Sequence, residues 1–158
     1  MRMPPDFEHL LSIGEPSLAP DDARVSGLAD LAAQMGETPP GKDAPVREVM
    51  ARLGDNWSAL ILKVLTTGTY RHATLKRVIG ALSSEGEISQ RMLTLRLRAL
   101  ERDGLVLRHE HDSVPPRVDY ALSEMGRELT EEFDRLLAWI ERHSDEINEA
   151  RQAISDAP

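Results

Sequence analysis

The chain has 158 residues, 41% of them hydrophobic and 29% charged, which suits one globular domain with an appendage rather than two independent domains. It contains no cysteine, which excludes disulfides, thiolate metal ligands, cysteine nucleophiles and thiol redox sensing together. A formal net charge of -8 argues against a general polyanion binder, and no apolar run has the length of a signal peptide or a membrane span, so a cytoplasmic protein is expected.

Residues 1–43 are rich in proline and read as an arm. Within it the stretch 21–35 is expected to be a helix, with Asp21 and Asp22 near its start, Val25, Leu28, Ala32 and Met35 on one stripe, and Gly36 closing it. An isolated helix of that length is marginal in water, so the stripe is expected to dock on apolar surface, with Pro39 and Pro40 as a stiff hinge. Arg24 is the sole Lys or Arg between Pro4 and Gly41, which argues for a structural role for the arm rather than DNA contact.

From Pro45 the apolar pattern becomes dense. Val46, Val49, Met50 and Leu53 stand at i, i+3, i+4 and i+7 of a first helix that stops at Gly54. Asp55 is a good cap for a second helix carrying Trp57, Leu60, Ile61, Val64 and Leu65. Trp57 suits the core, although the same ring would also floor a small-molecule pocket. Tyr70, Arg71 and His72 read as a short strand, and Leu75, Val78, Ile79 and Leu82 as a third helix, before a turn at SSEGE.

Ser89 then caps a helix over residues 89–102, whose Leu93, Leu97 and Leu100 face inward and whose end is set by Gly104. LVLRHEH and RVDYAL read as two strands joined by DSVPP; in the second, Val118, Tyr120 and Leu122 alternate with Arg117, Asp119 and Ala121. From Ser123 a long helix follows. Leu129, Phe133, Leu136, Ile140, His143, Ile147, Ala150 and Ile154 keep a 4-3 rhythm, the pattern of a helix paired with another helix. A continuous helix of about 30 residues would reach about 45 Å, beyond a small domain, so these positions are read as a dimer seam.

The order helix, strand, helix, turn, helix, hairpin is that of a winged helix-turn-helix, giving a mainly α (α+β) fold. The expected domains are the arm at 1–43, the winged domain at 44–122 and the dimerisation helix at 123–158. Charge supports a nucleic-acid role, since residues 69–118 hold nine basic and six acidic residues while the rest of the chain holds ten and 21. The outward face of the 89–102 helix carries Gln90, Arg91, Thr94, Leu95, Arg98 and Arg102. Arginine binds guanine or phosphate bidentately and glutamine reads adenine, and the helix N-terminus beside Ser89 favours phosphate. Arg108 and Arg117 on the wing complete the candidate set. Taken alone, an arginine-rich face is also an ordinary solvated helix surface, and Arg117 has Asp119 and Glu110 as alternative partners.

The segments APVREVMARLGDNWSALILKVL, ISQRMLTLRLRALERDGLV and VPPRVDYALSEMGREL resemble the HxlR-type bacterial transcriptional regulators, dimeric winged-helix DNA-binding proteins. The likeness covers about residues 44–143. It implies that Ser89, Gln90, Arg91, Thr94 and Arg98 stand at recognition-helix positions, that Arg117 is the wing arginine, and that the final helix pairs two subunits. The sequence departs from that pattern in three places. Ala44 stands where the family usually has cysteine, His72 where it has a phenylalanine, and GALSSEGE where it has a much shorter turn, adding Glu85 and Glu87 beside the recognition helix.

No enzyme constellation is present in the sequence. His109 and His111 share a strand face, with Glu110 and Asp112 adjacent, but lack a third ligand at diagnostic spacing, so no metal and no cofactor is expected. The expected partners are double-stranded DNA and a second copy of the chain, with a small-molecule effector left open and no membrane. Two readings remain: a homodimeric sequence-specific regulator, favoured by the arginine stripe and wing, and a winged-helix protein-interaction module without DNA binding, favoured by the net charge and the acidic turn.

Overall fold

The computed structural model describes residues 5–13, 19, 21–35, 41 and 44–157. It divides into two compact units, residues 1–48 and 49–158. In the first, α1 (Phe7–Ser12) is capped by Asp6, whose carboxylate accepts the His9 amide at 3.0 Å. This short helix has no counterpart in the sequence reading. Helix α2 (Ala23–Met35) is the expected arm helix, held at its start by Asp22, which accepts the Arg24 amide at 2.9 Å and its guanidinium. Those contacts pull the Asp22 carboxyl down to about 2. No residue of α2 is buried, so the Val25, Leu28, Ala32 stripe is half-covered at most. Gly36, Pro39 and Pro40, the expected stop and hinge, lie outside the described residues.

Helix α3 (Pro45–Leu53) forms where its i, i+3, i+4, i+7 pattern places it, yet none of its residues is buried, and Val46 and Met50 are 58% and 59% exposed. The core of the second unit lies beyond it. Helix α4 (Ser58–Leu65) contributes Ile61, Leu62, Val64 and Leu65, with Trp57 and Leu60 packed against the cluster. Trp57 is thus a core-edge residue. Asp55 does cap the entry to α4, accepting the Trp57 amide at 2.8 Å, although the helix proper starts three residues after it.

Strand β1 is only Tyr70–Arg71, and His72 opens α5 (His72–Leu82) instead of ending the strand. Helix α5 buries Leu75 and Ile79, and the acidic turn then folds back through Ile88, 1% exposed. Helix α6 (Gln90–Arg102) buries Leu93, Leu97 and Leu100, the inward stripe read from the sequence. Strands β2 (Val106–His111) and β3 (Arg117–Leu122) form the wing, and the sheet order is β1-β3-β2, antiparallel throughout. Gly104, at φ 75°, makes the turn from α6 into β2, a conformation side chains resist.

The expectation of one continuous C-terminal helix is corrected. Helix α7 (Glu124–Arg142) stops and α8 (Ser144–Ser155) begins, with His143 between them at φ -106° and ψ 7°. The cause is local competition for carbonyls. His143 Nδ1 donates to the Trp139 carbonyl at 2.8 Å while its ring stacks on Trp139 at 4.4 Å, and the Ser144 hydroxyl donates to Ile140 at 2.8 Å. No described helix is long and apolar enough to cross a membrane.

Candidate nucleic-acid interface

The two polar surfaces that could meet DNA are the outer face of α6 and the wing. Helix α6 is pinned at its start by Ser89, whose Oγ accepts the Met92 amide at 3.1 Å, leaving the hydroxyl proton free to donate outward. With the three leucines at 0–1% exposure, Gln90, Arg91, Leu95, Arg98 and Arg102 face solvent. Among the described residues Arg91 and Arg98 have no ion-pair partner, and both guanidiniums are available to an incoming anion.

The helix's fourth arginine has a different task. Arg96 pairs with Asp55 at 2.7 Å, tying α6 to the turn before α4, and Arg52 ties Asp103 to α3 at 3.2 Å. Arg102 is exposed and lies 3.9 Å from Asp103. Thr94 is half-buried, and its hydroxyl donates to the Gln90 carbonyl at 2.9 Å, so the oxygen is left to accept from His72 Nε2 at 3.1 Å. That contact joins α5 to α6 and fixes the neutral ring with its proton on Nε2. Burial first, and Lys76 second, push the His72 pKa below its ordinary value. The imidazole therefore does by hydrogen bonding part of what a phenylalanine would do by packing.

The contacts of the acidic turn are made with Asn56, Ser83 and Gly80. The Asn56 amide donates to Glu85 at 2.9 Å, and the Ser83 hydroxyl accepts the Glu85 backbone amide at 3.0 Å. The Glu87 side chain lies beside Gly80, and neither carboxylate pairs with Arg91 or Arg98 among the described residues.

On the wing, Arg108 pairs with Glu110 at 3.3 Å, and the Tyr120 hydroxyl and then Glu110 raise its pKa. Arg117 donates twice to Asp119, at 3.1 and 3.0 Å, and His111 Nε2 meets the same carboxylate at 2.8 Å. Arg117, then burial opposing it, then His111 leave the Asp119 pKa below its usual range. The sequence alternation placed Asp119 on the outer face; the structure keeps it there yet buries it, 8% exposed, under its own partners. His109 and His111 meet edge to face at 4.4 Å, and no group of three metal-ligating side chains occurs among the described residues. Clefts of about 500 Å³ and about 450 Å³ flank Arg117, and both are also lined by Arg71, which the sequence reading did not single out. The signal for it was faint: one arginine in a two-residue strand.

The profile of the HxlR-like helix-turn-helix family matches residues 52–148. The uncharacterized HTH-type transcriptional regulator YtfH of Escherichia coli K12 is 37% identical over 106 residues, 67% of this chain and 79% of that one. YtcD of Bacillus subtilis 168, another uncharacterized HTH-type regulator, is 39% identical over 102 residues, 65% and 76% of the two chains. Among solved structures, the redox regulator HypR in its reduced form is similar with a TM-score of 0.55 at 33% identity, covering 66% of this chain and 98% of that one.

Proposed function

Because this chain belongs to the HxlR-like helix-turn-helix family, a family of transcriptional regulators and not of enzymes, we propose how it reads DNA: as a homodimer, in the cytoplasm, with α6 in the major groove and the wing on the backbone or minor groove. The chain itself is a sequence-specific DNA-binding regulator. The observation that carries the assignment of the reading face is the pair Arg91 and Arg98, exposed and without ion-pair partners among the described residues, in a protein of net charge -8. Around them Gln90 and Leu95 supply base-edge and thymine-methyl contacts, while Ser89, Arg102, Arg108 and Arg117 supply phosphate contacts.

Thr94 serves by setting the position of α6 through His72. Of the two features that favour a protein module without DNA binding, the acidic turn counts for less, because Glu85 accepts from Asn56 and neither Glu85 nor Glu87 pairs with Arg91 or Arg98 among the described residues. The redox regulation named for HypR does not transfer as thiol chemistry, since this sequence holds no cysteine.

Dimerisation is supported by the apolar side of α7, where Leu136, Trp139 and Ile140 are 41–49% exposed and continue the line of Leu129 and Phe133. His143 stands at the break, and Ile147 and Ile154 carry the pattern on into α8. A two-fold pair would present two copies of α6 to half-sites about 34–36 Å apart.

The test is fragment selection from the source genome, followed by affinity titration of Arg91→Ala and Arg98→Ala at several salt concentrations. Each substitution is expected to cost on the order of 1–3 kcal/mol at a preferred site where it meets a base edge. Parental affinity in the double variant would remove α6 as the reading element.

A further inference from the structure

The register of the wing sheet collects an uneven set of charges on its outer face. Arg71 stands opposite Asp119, which stands opposite His109, while Arg117 stands opposite His111. Cross-strand partners share a face and strand side chains alternate, so Arg71, Arg117, His109 and His111 all surround a single carboxylate. That carboxylate is fully committed. Asp119 accepts two hydrogen bonds from Arg117 and meets His111, whereas Arg71 is exposed and has no ion pair among the described residues. Asp119 thus holds the Arg117 guanidinium through Nε and Nη2, with three further N–H groups left over, and it leaves the charge of Arg71 uncompensated. Between the two arginines runs the larger cleft, about 500 Å³, walled by the start of α5 on one side and by Ser113, Pro115 and Pro116 of the wing turn on the other.

We propose that this cleft grips a phosphodiester of the DNA backbone, with Arg71 as its principal ligand and Arg117, pre-oriented by Asp119, as the second. It rests on the DNA-reading assignment above and adds to it a sequence-independent ligand, Arg71, outside both α6 and the wing hairpin. A planar guanidinium fork matches two phosphate oxygens. The cleft is open to solvent and lined by both guanidiniums, which suits a phosphate carried on a strand better than an enclosed ligand. The two histidines add donors but are secondary, because His111 is already engaged by Asp119.

The experiment uses the full chain, a preferred duplex from the genomic selection and a scrambled duplex of equal length, each titrated over a range of salt. Arg71→Ala is expected to weaken binding to both duplexes by the same factor. It should also lower the salt slope by about 0.9 for one lost phosphate contact. Arg71→Lys, which keeps the charge, restores most of the slope, and this separates charge from any effect on folding. Unchanged affinity and slope in Arg71→Ala, with the parent still binding, would overturn the proposal alone. A loss confined to the preferred duplex would also overturn it, by placing Arg71 at a base edge. A parent that binds neither duplex would bring down the DNA-reading assignment, and this cleft with it.

Discussion

Gly126 sits in the first turn of α7, where the chain leaves the wing sheet. Its amide donates to the capping Ser123 Oγ at 2.9 Å, and Ser123 in turn donates its own amide to the Leu105 carbonyl at 3.0 Å and its hydroxyl to Gly104 at 2.6 Å. A Cβ added at Gly126 would lie 2.1 Å from that same Leu105 oxygen and 3.2 Å from Leu122 Cδ2, against an ordinary contact of 3.4 Å or more. The obstacle is backbone, so the first turn of α7 has to retreat by more than an ångström, which costs on the order of 1–3 kcal/mol as overpacking. The retreat also breaks the Ser123 cap, worth about 1 kcal/mol. Alanine gains back about 1 kcal/mol in helix propensity.

The net is a loss of about 2 kcal/mol for Gly126→Ala, or a fall in Tm of about 8 °C at roughly 4 °C per kcal/mol. Gly80 in α5 provides the opposite case. Its added Cβ would meet Glu87 Cγ at 3.6 Å, an ordinary contact, so Gly80→Ala should keep the propensity gain of up to about 1 kcal/mol and raise Tm. Scanning calorimetry on the two variants reads both signs. A Gly126→Ala protein as stable as its parent would refute the close approach on which the argument depends.

Two other outcomes follow from the site. Ile140→Asp with Ile147→Asp puts charges on the proposed seam without touching the wing core, and light scattering should find monomers or weakened association; an equally tight dimer would move the seam elsewhere. His72 titrates below the ordinary histidine value of 6.5, so the unfolded chain takes up the proton first as pH falls, and stability that is complete above 6.5 is lost on acidification. His72→Phe should flatten that part of the Tm-against-pH curve, and parallel curves for parent and variant would refute the assignment.

The parts of the fold that were legible in the sequence are those whose burial is settled within one chain. Leu93, Leu97 and Leu100 are fully inside because a 3.6-residue repeat leaves them no other face. Asp55 reads as a cap in the sequence, and its carboxylate accepts the Trp57 amide at 2.8 Å and the amide of Ser58, the first residue of α4, at 3.4 Å. The 4-3 pattern of α7 and the stripe of α3 are equally regular in the sequence, yet Met50, Leu136 and Ile140 stay exposed. Periodicity says that a face needs cover and leaves open what provides it. The interruption at His143 was not legible because it depends on ring stacking and two side-chain bonds to carbonyls, which spacing does not encode. Arg96 reads as a basic residue like its neighbours until Asp55 is placed 2.7 Å away.

The net charge of -8 now takes on a different meaning from the one it had as an average. A protein whose whole surface was basic would hold any DNA in any orientation, since phosphate attraction is independent of sequence. Here the acidic residues gather outside 69–118; within that stretch Glu85 is engaged by Asn56 and Glu110 by Arg108, and just beyond it Asp119 is held by Arg117. Outside that stretch the acidic excess opposes a polyanion. Approach by α6 and the wing brings Arg91, Arg98 and, on the further proposal, Arg71 to the duplex. The long-range field then selects the orientation and keeps non-specific affinity low, so that the short-range base contacts of α6 decide where the protein stays.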